Sequence, residues 1–332
     1  MTATLTERTG KASAARSAGG WTYLAVLRDT AQRVTVCAFV VVVTFLLVRI
    51  VPGDAVTALS TTRGSPEARA ALRAQLHLDE PLATQFSSYL RDLAHGNLGQ
   101  SLVEQGRPVT SIIAAALPVT LCVVAGAVLT SLLFGTALGL AAAMRPGRID
   151  LAVRTLTTVL LTLPPFFLGL LMLFAMLHWP VLPAGGWAGS WPDNLRFMVL
   201  PCLALSGYLS PLIARTVRQA ARHAVQEHWV EGAIVRGVPR GRLLLGHILP
   251  NSLLPVVSLI GYNVGAMISG AVIVESVFGL PGFGQQLVNS IALRDYPVIQ
   301  GIALVSGLFV VAANLLTDIL VRIIDPRVRR QL

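Results

Sequence analysis

The sequence predicts an all-α polytopic membrane protein with six transmembrane helices, and three observations carry that prediction. Of 332 residues, 54% are hydrophobic and only 13% charged, with a mean hydropathy of +0.68; soluble domains carry about 25% charged residues. Stretches free of Asp, Glu, Lys and Arg run over 34–48, 111–144, 155–177, 197–214, 251–274 and 296–317. Each is long enough, or nearly so, to cross a hydrocarbon core about 30 Å thick as a helix. The net charge of +10, built from one Lys (Lys11) and twenty-five Arg, lies between these stretches rather than on one solvated face. The basic balance therefore does not point to nucleic acid.

In chain order, residues 1–30 form a Ser/Thr/Ala/Gly-rich tail with a few positive charges, read as a disordered cytoplasmic segment. The first span covers 31–51. A cleaved signal peptide competes with an uncleaved anchor here, since positive residues precede an apolar run. No A-x-A-like site follows Val51, and Pro52-Gly53-Asp54 reads as a turn, which favours the anchor. Residues 52–118 make an extracytoplasmic loop, a small helical subdomain lying on the membrane, with short helices at Pro66–Leu76 and Gln85–Ala94. Pro118 is expected to separate an interfacial helix, Ser111–Leu117, from a second span over 119–143. The core domain, 119–330, contains the second to sixth spans and a loop at 215–250.

Orientation follows from the Lys and Arg distribution. With a cytoplasmic N-terminus, 18 of the 26 positive residues fall in cytoplasmic segments and seven in external ones, with Arg49 at the outer edge of the first span. Both termini are therefore expected in the cytoplasm. Cys37, Cys122 and Cys202 lie far apart within apolar runs. With no CxxC or Cys/His spacing, neither a metal site nor a disulfide framework is expected.

The segment from Arg215 to Asn251 holds six Arg and two Glu. The fourth span is expected to continue as a helix to about Val225, followed by a short helix over Glu227–Arg236. Gly237 stops that helix, and Val238-Pro239 starts another leading into the fifth span. Helix, Gly break and helix make a stiff protrusion, suited to receiving force from a soluble partner; on composition alone, an Arg-rich surface contacting anionic lipid is the competing reading.

At the level of motif, this segment resembles the EAA loop of the membrane subunits of binding-protein-dependent ABC importers. That pattern is E-A-A, three residues, G, nine residues and I-x-L-P. Glu231-Gly232-Ala233, Gly237 and Leu249-Pro250 stand at those spacings, with Gly232 replacing the middle Ala and His247 the usual Ile. Further stretches resemble the dipeptide/oligopeptide/nickel branch, of the kind paired as the "B" subunit. They are Val51-Pro52-Gly53-Asp54, LHLDEPLATQF at 76–86, GNLGQSL at 96–102, VIVESVFGLPGFGQQLVNSIALRDYPVIQG at 272–301 and NLLTDILVRIIDPRVR at 314–329.

The resemblance implies a type I importer domain in the bacterial inner membrane. Its partners would be a second homologous permease, two cytoplasmic ABC ATPases and an extracytoplasmic solute-binding protein. This chain has no G-x-x-x-x-G-K-[ST] phosphate loop, so ATP and Mg are expected on the ATPases and no cofactor on this chain, which is not itself an enzyme. Glu231 and its helix are expected to dock into an ATPase groove. Short peptides are the leading substrate, with nickel, a metal chelate or an opine as alternatives.

Among polar residues within spans, Glu275, Asn263 and Ser269 are candidates for the pathway or a gate, against interhelical hydrogen bonding as the plainer role. Asp318 is expected to pair with Arg322 at i,i+4. Trp179, Trp187 and Trp191 read as an interfacial belt or as contacts for the binding protein. A proton-coupled secondary transporter is the alternative of another class, but no internal repeat or paired intramembrane carboxylates support it.

Overall fold

The protein is described by a computed structural model covering residues 31–46, 80–104, 106–188 and 191–324. The tail at 1–30, the end of the first span, the helix expected at Pro66–Leu76 and the turn at 52–54 lie outside the described residues. Within them the fold is helical and contains no β-strand. Its elements are α1 (Ala31–Leu46), α2 (Leu82–Ala94), α3 (Val109–Met144), α4 (Arg148–Thr162), α5 (Pro165–His178), α6 (Trp191–Val225) and α7 (His228–Val235). They continue with α8 (Arg240–Leu243), a π-helical turn at Leu244–Ile248, α9 (Leu249–Phe278), α10 (Phe283–Leu293) and α11 (Tyr296–Ile324).

Among the described residues, four helical stretches are long and apolar enough to cross a membrane: α3, α6, the continuous run Gly241–Phe278 and α11. The α4–α5 pair brings the number to five if it counts as one bent span, and α1 is a shorter apolar helix.

Two expectations are corrected by these helices. Pro118 does not divide α3, which runs unbroken through it for 36 residues. At 1.5 Å per residue that is about 54 Å, far more than the hydrocarbon core requires. The extra turns are held by packing: Val109, Ile112, Ile113 and Ala116 form a cluster with Phe283, Val298 and Ile302, which outweighs the one backbone hydrogen bond that proline removes.

The expected span 155–177, in contrast, is not one helix. It breaks between Thr162 and Pro165, and the two halves are bent by 103°. Leu163 precedes a proline and is extended (φ −93°, ψ 124°), as is Pro164 (ψ 143°). Consecutive prolines push the preceding residue out of the helical region and remove two donors.

α6 is the centre of the bundle, and a seam of small residues brings it against α3. Ala127, Ser131, Gly135 and Gly139 recur every fourth residue on α3, facing Cys202, Ser206, Ser210 and Ala214 at the same interval on α6. A Cβ on Gly135 would lie 2.7 Å from the Ser210 carbonyl oxygen, and one on Gly139 would lie 2.6 Å from that of Ala214. Both helices advance together along this seam, so the pair is parallel. Such close approach maximises dispersion contact where lipid supplies no hydrophobic drive between helices.

α9 crosses α6 and packs antiparallel on α11, with Gly261 against Thr317 and Gly265 against Val310. α1 also packs on α11, with Val40 against Gly307 and Arg33 Nη2 donating to Asp318 Oδ2 at 2.7 Å. Asp318 thus has a partner on another helix; the side chain of Arg322, the partner expected one turn along its own, lies outside the described residues. Phe45 of α1 meets Phe86 and Tyr89 of α2, with ring centroids 4.9 and 5.7 Å away. The start of α1, the end of α11, the start of α9 and the end of α6 consequently share one end of the molecule, the end that bears α7.

Candidate functional site: the α6–α9 protrusion and the α9–α10 hairpin

α6 runs on to Val225, and Glu227 is extended (φ −76°, ψ 140°) before α7 begins at His228. The end of α7 follows from its sequence. Gly237 has φ +73°; its N–H donates to the Ile234 carbonyl at 2.9 Å and that of Val238 to the Ala233 carbonyl at 3.1 Å. These paired bonds around a left-handed residue close the helix, and only glycine adopts that backbone without a Cβ penalty.

The loop is anchored by an apolar cluster of its own. Val230 and Ala233 of α7 are buried with Ala221 of α6, Leu243 and Ile248, and with Leu140 and Ala143 of α3 packed alongside. With one side of α7 so fixed, the other side is presented outward. Glu231 is exposed, its Oε2 3.9 Å from His228 Nδ1. Ile234 is 59% and Val235 86% exposed, and Trp229 is also exposed. Gly232 is half-buried with open space where a Cβ would stand. Pro250 is exposed and Leu249 half-buried at the start of α9.

The motif residues therefore divide: Ala233 anchors, Gly237 turns, and Glu231 is offered outward beside Ile234 and Val235. Those two apolar residues are not singled out by the motif. The available signal is that HWVEGAIV has more apolar residues than one buried face of two turns can use.

At the other end of the molecule, α9 ends at Gly279 (φ +64°), and the chain folds back into α10. Glu275, fully buried, lies under this hairpin, and its Oε2 accepts from the Gly284 N–H at 2.7 Å. Thr120 Oγ1 on α3 accepts from the Phe283 N–H at 2.9 Å. Two of the free donors at the start of α10 are thereby satisfied. A Cβ on Gly282 would collide with the Glu275 carboxylate, and one on Gly284 with the Val272 carbonyl.

Asp295, next to Arg294 in its left-handed turn (φ +57°), is buried. It accepts from Ser101 Oγ and, at 3.2 Å, from the Leu102 N–H, tying the segment between α2 and α3 to the α10–α11 corner. Asn263 accepts from Tyr208 Oη at 2.8 Å across the α6–α9 contact. Ser269 is exposed, and its hydroxyl donates to the Gly265 carbonyl at 3.2 Å. The structure thus brings Glu275 together with Thr120 and α10, whereas Asn263, Ser269 and the α7 motif stand apart from one another. Among the described residues no three or more His, Cys, Asp or Glu side chains are grouped to hold a metal ion.

Comparison with known proteins agrees with this architecture. Residues 135–330 match the family described as binding-protein-dependent transport system inner membrane component, and residues 23–124 match the N-terminal model of the same systems. The chain is 33% identical to the oligopeptide transport system permease protein OppB of Escherichia coli K12, covering 92% of this chain and 98% of that one. It is 34% identical to the probable D,D-dipeptide transport system permease protein DdpB of the same organism, covering 93% and 98%. A putative peptide permease of Brucella suis is 36% identical, covering 86% and 92%. Among solved structures, the inward-facing MetNI methionine ABC transporter aligns with a TM-score of 0.54 at 16% identity, over 65% of this chain and 97% of the matched one, which is a likeness of fold. A multi-pass helical chain with this loop and these matches belongs to the binding-protein-dependent transport system inner membrane component family, the membrane-spanning permeases of ABC importers.

Proposed function

We propose that this chain is the permease subunit of an importer for short peptides, forming half of the translocation pathway and taking its drive from separate cytoplasmic ATPases through α7. The carrying observation is the divided face of α7: Val230 and Ala233 are locked into the bundle end, while Glu231, Ile234 and Val235 project from it. A helix fixed on one side transmits a push from the other without bending at its root. The carboxylate of Glu231, in the first turn, also suits the positive end of the helix dipole. The peptide assignment rests on the names of the three relatives.

In this reading six spans cross the inner membrane with both termini cytoplasmic, α1 being the first and the α4–α5 pair the third. Support comes from the Lys and Arg distribution and from the shared end of α1, α11 and α7. The partners are a second homologous permease, two ABC ATPases that bind ATP and Mg, and an extracytoplasmic solute-binding protein; this chain holds no cofactor. Ser269 belongs to the exposed stripe of α9, with Ser258 and Tyr262, and we assign that stripe to the pathway wall facing the second permease. Asn263 and Glu275 hold α9 against α6 and α10 and act on the pathway only by positioning it.

The test is a reconstituted transporter carrying Glu231→Ala with Gly237→Asp. The variant chain is expected to insert normally and to lose peptide-stimulated ATP hydrolysis and uptake together. Normal transport by the double variant would overturn the coupling role.

A further inference from the structure

Between α4 and the last turns of α6 lies an open cavity of about 810 Å³. Its chemistry is one-sided. Arg154, Arg215, Arg218 and Arg222 line it and no carboxylate does. The nearest acid, Asp150, is already engaged by Arg218, through Nε and through Nη2 at 2.9 Å, and by Arg222 at 3.1 Å. Arg215 Nη2 donates to Thr158 Oγ1 at 3.0 Å; Arg154 feels the Asp150 charge one turn away, but neither it nor Arg215 forms a close ion pair among the described residues. Asp150 thus fixes two guanidinium groups in position, while two more are left to meet an anion.

The rim is apolar: Leu151 is 57% and Val159 49% exposed beside the guanidinium groups. The floor, formed by Val153, Thr157 and Ala214, is buried. Guanidinium forks match phosphate oxygens two at a time, and basic pockets between membrane helices suit anionic headgroups.

We propose that this groove holds the headgroup of an anionic phospholipid from the leaflet on the α7 side, with Arg154 and Arg215 on its phosphate and the acyl chains along Leu151 and Val159. A free inorganic anion would use the guanidinium groups but gain nothing from that rim. The bound lipid would sit where the bent α4 meets α6, the helix whose end leads into α7.

The whole transporter is placed in nanodiscs of equimolar phosphatidylglycerol and phosphatidylcholine, extracted, and examined for retained lipid by native mass spectrometry. The wild-type complex is expected to retain phosphatidylglycerol in preference. Arg154→Gln with Arg215→Gln should reduce that preference about fivefold per arginine removed, whereas Arg154→Lys with Arg215→Lys, which also serves if the first pair fails to assemble, keeps the charge without the fork and should reduce it less. Arg145→Gln with Arg148→Gln removes equal charge from the exposed neighbouring turn and should leave the preference unchanged. An unaltered preference in the Arg154/Arg215 Gln pair would overturn the site. So would an equal loss in the Arg145/Arg148 pair, which would mean diffuse surface charge, or full displacement by millimolar inorganic phosphate, which would mean a small-anion site.

Discussion

Two glycines that the sequence presents alike have opposite environments. Gly232 lies within α7 with nothing within 4 Å of where a Cβ would stand, so only its backbone freedom matters. Alanine there should stabilise α7 by about 1 kcal/mol, visible as slower amide hydrogen exchange over His228–Val235; unchanged or faster exchange would show that α7 is not limited by helix propensity. Gly284 begins α10 against the Val272 carbonyl, where no side-chain rotation can relieve a Cβ. Gly284→Ala should lower the thermal midpoint, with a cost near the upper end of the roughly 1–3 kcal/mol expected for overpacking. The special turn at Gly237 was legible from spacing alone, because a helix stop needs a residue tolerant of positive φ. The burial of Asp295 and Glu275 was not, since their partners Ser101 and Gly284 are brought to them by tertiary folding.

Helices were legible in position and misread in continuity. A proline within an apolar run gives no indication of whether neighbours will hold the helix together. Pro118 is spanned because α3 is packed on both sides of it, whereas Pro164-Pro165 forces two adjacent residues to be extended and turns the chain by 103°. The doublet was the available signal. Alternating spans already make the second and fourth, α3 and α6, parallel, but which small residues meet between them is set by tertiary packing. Ser131, fully buried, faces the Ser206 carbonyl there, 3.5 Å from its hydroxyl. Ser131→Ala should change stability by less than about 1 kcal/mol. Ser131→Leu should separate the helices and cost about 1–3 kcal/mol or more, read as loss of monodisperse protein on heating in detergent; equal stability of the two variants would contradict the close seam.

At the scale of the molecule, a chain with 13% charged residues and a net charge of +10 distributes its arginines by task. Some line the groove between α4 and α6, one pairs α1 to α11, and others border α7. In the sequence these arginines stand in two separate segments, Arg154 in one and Arg215, Arg218 and Arg222 in the other, and the groove arises only when α4 packs over α6. Everything proposed for transport turns on α7 being the surface through which a separate ATPase drives this permease. A photocrosslinking amino acid in place of Val235, 86% exposed and outside the anchoring cluster, tests it in cells expressing the whole transporter. The expected product is an adduct with an ATPase subunit that disappears in the Glu231→Ala, Gly237→Asp background; adducts with lipid alone, or an ATPase adduct unaffected by those substitutions, would contradict it.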